Sequence, residues 1–218
     1  MKLTHFTAIS IFTLALASAC GGASDPAKGD KAAAKGAAGT AGAPGGDAKD
    51  AAPAVEVPTL KITEADWVEK NLKDVSPMIN VTIKAPKDAT FEKNGNGGVD
   101  IKLAGFYMLT VGNLAVSSIK EALEWGNSSS IGDSSFKDGK KLLEEPNGFV
   151  FTYQMKDEEN GTKYAPESHF YFFIEKDGAV YSVNDTKPMD AFSTPPAAYT
   201  EALARQVYGL VKASAKAN

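Results

Sequence analysis

Few residues in this chain carry groups suited to covalent or acid–base chemistry near neutral pH. There is one cysteine, Cys20, and there are two histidines, His5 and His169. A zinc centre built from Cys and His needs three or four such ligands, so one chain cannot supply it. His5 lies in the apolar leader described below, so a Ser-His-Asp triad could use only His169 as its base. His169 opens the run His169-Phe170-Tyr171-Phe172-Phe173, which reads as the start of a strand, and no nucleophile-elbow sequence occurs anywhere. The expectation is a strand-end histidine, exposed or hydrogen-bonded, and no catalytic residue. Asp157-Glu158-Glu159-Asn160 is the densest carboxylate cluster. It lacks the spacing of an EF-hand loop and reads as a solvated loop, with cation binding left open. Asn127–Asp133 is a Ser/Gly loop without the Lys-Ser/Thr of a phosphate-cradling loop. No metal or cofactor is expected. Carboxylate pairs distant in sequence are invisible at this level, which keeps a carboxylate-dependent hydrolase or sugar-acting domain as the alternative to a non-enzymatic reading.

Charge narrows the partners. The formal net charge is −4 over 218 residues. A nucleic-acid partner calls for a basic surface, so none is expected. The cations are almost all lysine, with Arg205 the only arginine, so bidentate recognition of phosphate or carboxylate is nearly absent.

The position of Cys20 gives it meaning. Lys2 precedes an apolar run from Leu3 to Leu16, which is too short to span a bilayer, since that takes roughly 20 apolar residues. A short basic start, an apolar run and small residues after it form a secretory signal. Leu16-Ala17-Ser18-Ala19-Cys20 resembles the lipobox of bacterial lipoproteins. That resemblance implies cleavage after Ala19, a diacylglycerol thioether on Cys20, and attachment to a membrane of the bacterial envelope. With Gly21 rather than Asp next, it implies the outer membrane over the inner. Ala17-Ser18-Ala19 also satisfies the A-x-A rule of ordinary signal peptidase, whose product would be a secreted protein.

Gly21–Val57 contains Ala, Gly, Lys, Asp and Pro, and nothing apolar larger than Val. Such a stretch buries too little surface to offset the entropy of ordering. It reads as a disordered tether, spanning about 33 Å as a Gly-rich coil and at most about 125 Å when extended.

Periodic apolar patterning begins near Pro58, so residues 58–218 form the expected single domain. Thr63-Glu64-Ala65-Asp66 reads as a capping box, predicting a short helix to about Lys73 with Trp67 as its anchor. Ile79, Val81 and Ile83 alternate with polar residues, as in a half-buried strand. Thr90–Lys93 is extended, Asn94–Gly98 is a turn, and Val99–Leu103 and Phe106–Val111 are strands with a bend at Ala104-Gly105. Ser118-Ile119-Lys120-Glu121 caps a short helix expected to stop at Gly126. Lys140–Glu145, Phe149–Met155, His169–Glu175 and Ala179–Val183 form a meander. A closing helix is expected from about Pro196 to Lys212, with Tyr199, Leu203, Val207, Leu210 and Val211 on its apolar side. The aromatic strand face of Phe149, Phe151 and Tyr153 is its expected partner.

This order is α+β: a mostly antiparallel sheet covered by helices. The stretch Ile79–Pro86, a strand leading into a short helix, a meander with a Lys176-Asp177-Gly178 hairpin and a closing amphipathic helix resemble the Mog1/PsbP-like fold over roughly Met78–Ala213. That family implies an α/β/α sandwich used for binding or assembly, and carries no functional residue over to this chain. The resulting expectation is a membrane-tethered, non-enzymatic binding or assembly module, held by lipid on Cys20 and meeting another envelope protein. Limited trypsin treatment should remove Gly21–Val57 and leave a resistant core starting near Lys61. Digestion of the whole chain at one rate would contradict the boundary.

Overall fold

Tyr107–Leu114 alternates buried with more exposed residues, as a strand with one face in the core does, whereas Gly148–Val150 and Glu167–Phe170 are buried throughout, as a strand covered on both faces is. The computed structural model describes residues 56–156, 163–188 and 194–218. The signal, Cys20, the tether up to residue 55 and the acidic cluster Asp157–Asn160 lie outside the described residues.

Seven strands form an antiparallel sheet: β3 (Thr90–Lys93), β4 (Val99–Ala104), β5 (Tyr107–Leu114), β6 (Phe136–Glu145), β7 (Gly148–Met155), β8 (Glu167–Lys176) and β9 (Ala179–Thr186). Their spatial order is β3-β4-β5-β9-β8-β7-β6. The chain reaches the far edge through helix α1 (Ile119–Ser128) and meanders back until β9 pairs with β5. A second antiparallel sheet joins β1 (Trp67–Asn71), β2 (Val81–Pro86) and the short β10 (Lys216–Ala217). Helix α2 (Glu201–Ser214) closes the fold. The class is α+β, with mostly antiparallel sheets and two helices.

The main core lies on one side of the large sheet. Val150, Phe170, Phe172, Tyr181 and Val183 meet Ala204, Val207, Tyr208 and Val211 of α2, and Val81 and Ile83 of β2 join the same cluster. The opposite face carries a smaller cluster in which Ala122 of α1 packs with Phe149, Phe151, Phe173 and Val180. The two helices therefore take opposite faces. This corrects the expected pairing of the closing helix with Phe149, Phe151 and Tyr153: α2 covers Val150 on the other side, and Leu203 is only half-buried. Adjacent residues of a strand point to opposite faces, and Phe149 and Val150 are both fully buried, so the start of β7 is apolar on both sides and cannot say which helix covers which.

Three helix boundaries also differ. The predicted first helix is instead a 3-10 turn at Glu64–Asp66, strand β1 and a second 3-10 turn at Leu72–Asp74; the Thr63 side chain caps nothing. A helix this short is marginal by itself, and the antiparallel ladder from Trp67↔Pro86 to Asn71↔Thr82 prevails. Trp67 is buried as expected. At the chain's end, Pro196–Ala198 form a 3-10 turn, and α2 starts after Thr200, whose hydroxyl accepts from the Leu203 N–H at 3.2 Å. Helix α1 runs past Gly126 to Ser128. Its start obeys the cap: Ser118 Oγ accepts from the Glu121 N–H, and the Glu121 carboxylate returns to the N–H and hydroxyl of Ser117.

Gly126 is not a cap but a packing point. A Cβ there would stand 3.0 Å from Phe173 and 3.2 Å from Phe149, and both rings are fully buried. Its lack of a side chain lets α1 lie close on the sheet.

The far edge of the large sheet is irregular. β6 has register shifts between Lys137 and Lys140 and between Lys141 and Leu143. The Leu142 carbonyl, inside the second shift, accepts from Arg205 Nη2 of α2 at 2.7 Å. Arg205 Nε also pairs with Glu201 at 2.7 Å. The only arginine is thus used within the fold. No helix among the described residues is long and apolar enough to cross a membrane.

Replacing Gly126 by Val should force α1 off Phe149 and Phe173 and cost about 1–3 kcal/mol, the range for overpacking a close-packed core. Urea unfolding would measure it, and an unchanged midpoint would contradict the close contact.

Candidate functional site

Helix α1 is too short for the face it covers. Its 10 residues span about 15 Å, whereas the 10 residues of β8 run about 34 Å. Beyond the helix's C-terminal end the sheet face opens into a cleft of about 460 Å³. Serines finish the helix there. Ser128, Ser129 and Ser130 donate their hydroxyls to the carbonyls of Glu124, Trp125 and Gly126 at 3.0, 2.8 and 2.5 Å. The Trp125 carbonyl also accepts from the Ser129 N–H at 2.9 Å, so it is at Gly126 that a serine hydroxyl satisfies a carbonyl the helix end leaves without a backbone partner. They also commit the two serine hydroxyls at the cleft, those of Ser129 and Ser130.

The cleft has an aromatic wall and an ionic floor. The wall comes from Phe136 of β6, Phe151, Tyr153 and Met155 of β7, and Tyr171 of β8. Phe136 and Tyr153 stack at 4.0 Å between ring centroids, and Phe151 and Tyr171 lie nearly parallel at 5.7 Å. Alternate residues of one strand and their cross-strand partners share a face, so β7 and β8 present these rings together.

At the floor, the β8–β9 ladder ends at Tyr171↔Asn184. Beyond it the Asp185 side chain stands in for backbone: Oδ1 accepts from the Phe170 N–H at 2.8 Å. Oδ2 accepts from the Tyr107 hydroxyl at 3.0 Å and meets His169 Nδ1 at 3.0 Å. His169 Nε2 meets Glu167 Oε2 at 3.3 Å, and Glu167 Oε1 accepts from Lys187 Nζ. Lys187 Nζ also lies 4.8 Å from the centre of the Tyr199 ring. The His169 ring lies 5.3 Å from both the Tyr153 and Tyr199 rings. Side-chain exposure is 6% for His169, 0% for Asp185 and 7% for Glu167.

An imidazole whose two nitrogens each face a carboxylate must donate from both, so this geometry selects the doubly protonated ring. Burial by itself would lower the His169 pKa, but Asp185 and then Glu167 outweigh it and hold the pKa up at about 9. Burial likewise opposes ionisation of Glu167, and hydrogen bonds from His169 and Lys187 overcome it to keep the carboxyl below its ordinary range. Burial and then Asp185 push the Tyr107 hydroxyl well up. Burial, followed by Asp185, raises Tyr171 to about 12, and burial followed by Glu167 raises Tyr153 and Tyr199. These phenols stay protonated near neutral pH.

His169 is thus buried and fully engaged; the exposed alternative for this strand-end residue does not hold. It offers no free nitrogen to a nucleophile. Among the described residues no group of three or more His, Cys, Asp and Glu side chains is placed to hold a metal ion. The Asn127–Asp133 stretch begins inside α1 with Asn127 and Ser128 and continues as a turn. The sequence reading missed Glu167, Asp185, Lys187 and Tyr107 as partners. The spacing Glu167-Ser168-His169 on a strand was a signal, since it puts both side chains on one face; Asp185 and Tyr107 gave none. Comparison with protein-family models, curated proteins and solved structures returns no match to the chain.

The floor gives stability a pH signature. A folded pKa raised above the ordinary 6.5 means the native state holds a proton that the unfolded chain releases. The His169 contribution is full below pH 6.5 and is lost as pH rises through about 9. Glu167 acts oppositely, adding stability above its ordinary 4.5 that is lost as pH falls through its lower folded value. Urea midpoints should therefore decline from pH 6.5 to 9. His169→Gln should flatten that decline and cost about 3–5 kcal/mol at neutral pH, because it strands buried carboxylates. A wild-type midpoint constant over that range would contradict the bridging imidazolium.

Proposed function

We propose that this chain is a lipid-anchored bacterial envelope protein whose folded domain binds or assembles rather than catalyses. The observation that carries the reading is His169 held by carboxylates on both nitrogens beside an open aromatic cleft. General-base and nucleophilic catalysis need a base within reach of a hydroxyl or thiol. Here the only histidine among the described residues is spent, and Ser129 and Ser130 donate to helix carbonyls. Anchoring rests on the leader and Cys20 in the sequence, the outer membrane being the destination favoured by Gly21, with another envelope protein as partner. The Mog1/PsbP-like α/β/α arrangement belongs to the same proposal. An antiparallel sheet with one helix on each face, the closing one amphipathic, supports it.

In a bacterial host, the wild-type chain should sediment with membranes, since two or three acyl chains hold stably where one does not. Cys20→Ala should accumulate as precursor or move to the soluble fraction. Equal membrane content of the two would remove the anchor. For the domain's role, the purified chain should turn over no chromogenic ester, phosphate or glycoside above buffer. Turnover abolished by Glu167→Gln would replace this reading with a carboxylate hydrolase.

A further inference from the structure

The cleft beyond α1 is walled by Phe136, Phe151, Tyr153, Met155 and Tyr171. A site of about 460 Å³ falls within the range of small-molecule pockets. What separates it from a general apolar hollow is the state of its charges. Every ionic group at the floor already has an opposite partner: Asp185 with His169, His169 with Glu167, Glu167 with Lys187. Two cations and two anions cancel, and both oxygens of each carboxylate and both ring nitrogens are engaged. An ionic ligand would have to lose its water and find no free counter-charge, which is costly. Neutral polar groups remain. The Tyr153 and Tyr171 hydroxyls and the Asn184 amide line the cleft and make no side-chain hydrogen bond among the described residues. Their environment keeps the two phenols protonated.

We infer that this cleft binds an uncharged, largely apolar small molecule whose one polar end is a hydroxyl, ester or amide. The apolar body lies against the rings of β7 and β8, and the polar end meets the phenols and Asn184. This deepens the binding-module reading by naming the ligand class of the same site, and it rests on that reading.

A pair of dyes differing in one charged group tests it. N-phenylnaphthylamine is neutral; anilinonaphthalene sulfonate is a close analogue bearing an added sulfonate. The mature chain from residue 20, carrying Cys20→Ser and no leader, is titrated with each, since it takes no acyl group and needs no detergent. The neutral dye should bind saturably at one site, tighter than the sulfonate by on the order of tenfold or more, the effect of burying an unpaired charge. Met155→Asp, at a cleft residue 43% exposed, should weaken the neutral dye on the order of tenfold, while Val68→Asp, 48% exposed on β1, should leave it unchanged. Melting temperatures of both variants establish that they remain folded. Equal or tighter binding of the sulfonate overturns the neutral ligand class, and indifference to Met155→Asp overturns the location. No binding of either dye by folded protein overturns the small-molecule site and leaves the anchored binding module standing. Glu167-dependent turnover alongside cleft binding of the neutral dye would instead overturn the non-enzymatic reading and spare the ligand class.

Discussion

A buried imidazolium shared between two carboxylates is the constraint on which the rest of this domain hangs. His169 lies where the β8–β9 ladder stops, and Asp185 does two things at once. It accepts a backbone N–H that has run out of strand partner, and it holds the charged ring. Tyr107 adds a third bond from β5. One carboxylate thus ties three neighbouring strands at the end of their pairing, where a sheet would otherwise fray. In a low-dielectric setting each bond is strong only while all are made. Losing one member leaves the others buried without partners, so the cluster acts as a unit.

The same cluster shapes the chemistry next to it. A histidine beside an aspartate and near serines invites a catalytic reading, but this imidazole has both nitrogens turned to carboxylates. The second ring nitrogen faces Glu167, and the serines serve the end of α1. What the cleft offers is aromatic surface over a floor whose charges are internally balanced. The cleft exists because α1 is about half as long as the strands beneath it, and α1 stops where three consecutive serines turn their hydroxyls onto its own last carbonyls. A single polar run in the sequence therefore sets how much of the sheet stays uncovered.

Most strands could be read from alternation: Val99–Leu103, Phe149–Met155 and Ala179–Val183 each announce themselves. Helix caps were legible where the capping side chain is used, as at Ser118, and misleading where it is not, as at Thr63. β1 was misread because its pairing with β2 is long-range, and no local pattern outweighs a ladder formed with residues further along. Assignment of helices to faces failed for a related reason. Phe149 and Val150 are both fully buried, so the start of β7 marks neither face as the solvent side. The candidate site was half visible. His169 could be singled out by counting, but its partners Asp185 and Tyr107 are brought in from other strands, and only the three-dimensional pairing reveals them.

The edge formed by β6 has a consequence for encounters between copies of the domain. An open strand edge is a template onto which another copy can zip. Here the backbone pattern breaks twice within one strand, and a guanidinium from α2 occupies the carbonyl at the second break. At the opposite edge, β3 is only four residues long, too short to seed extended pairing. Both edges of the seven-stranded sheet are thus blunted against pairing with a second copy.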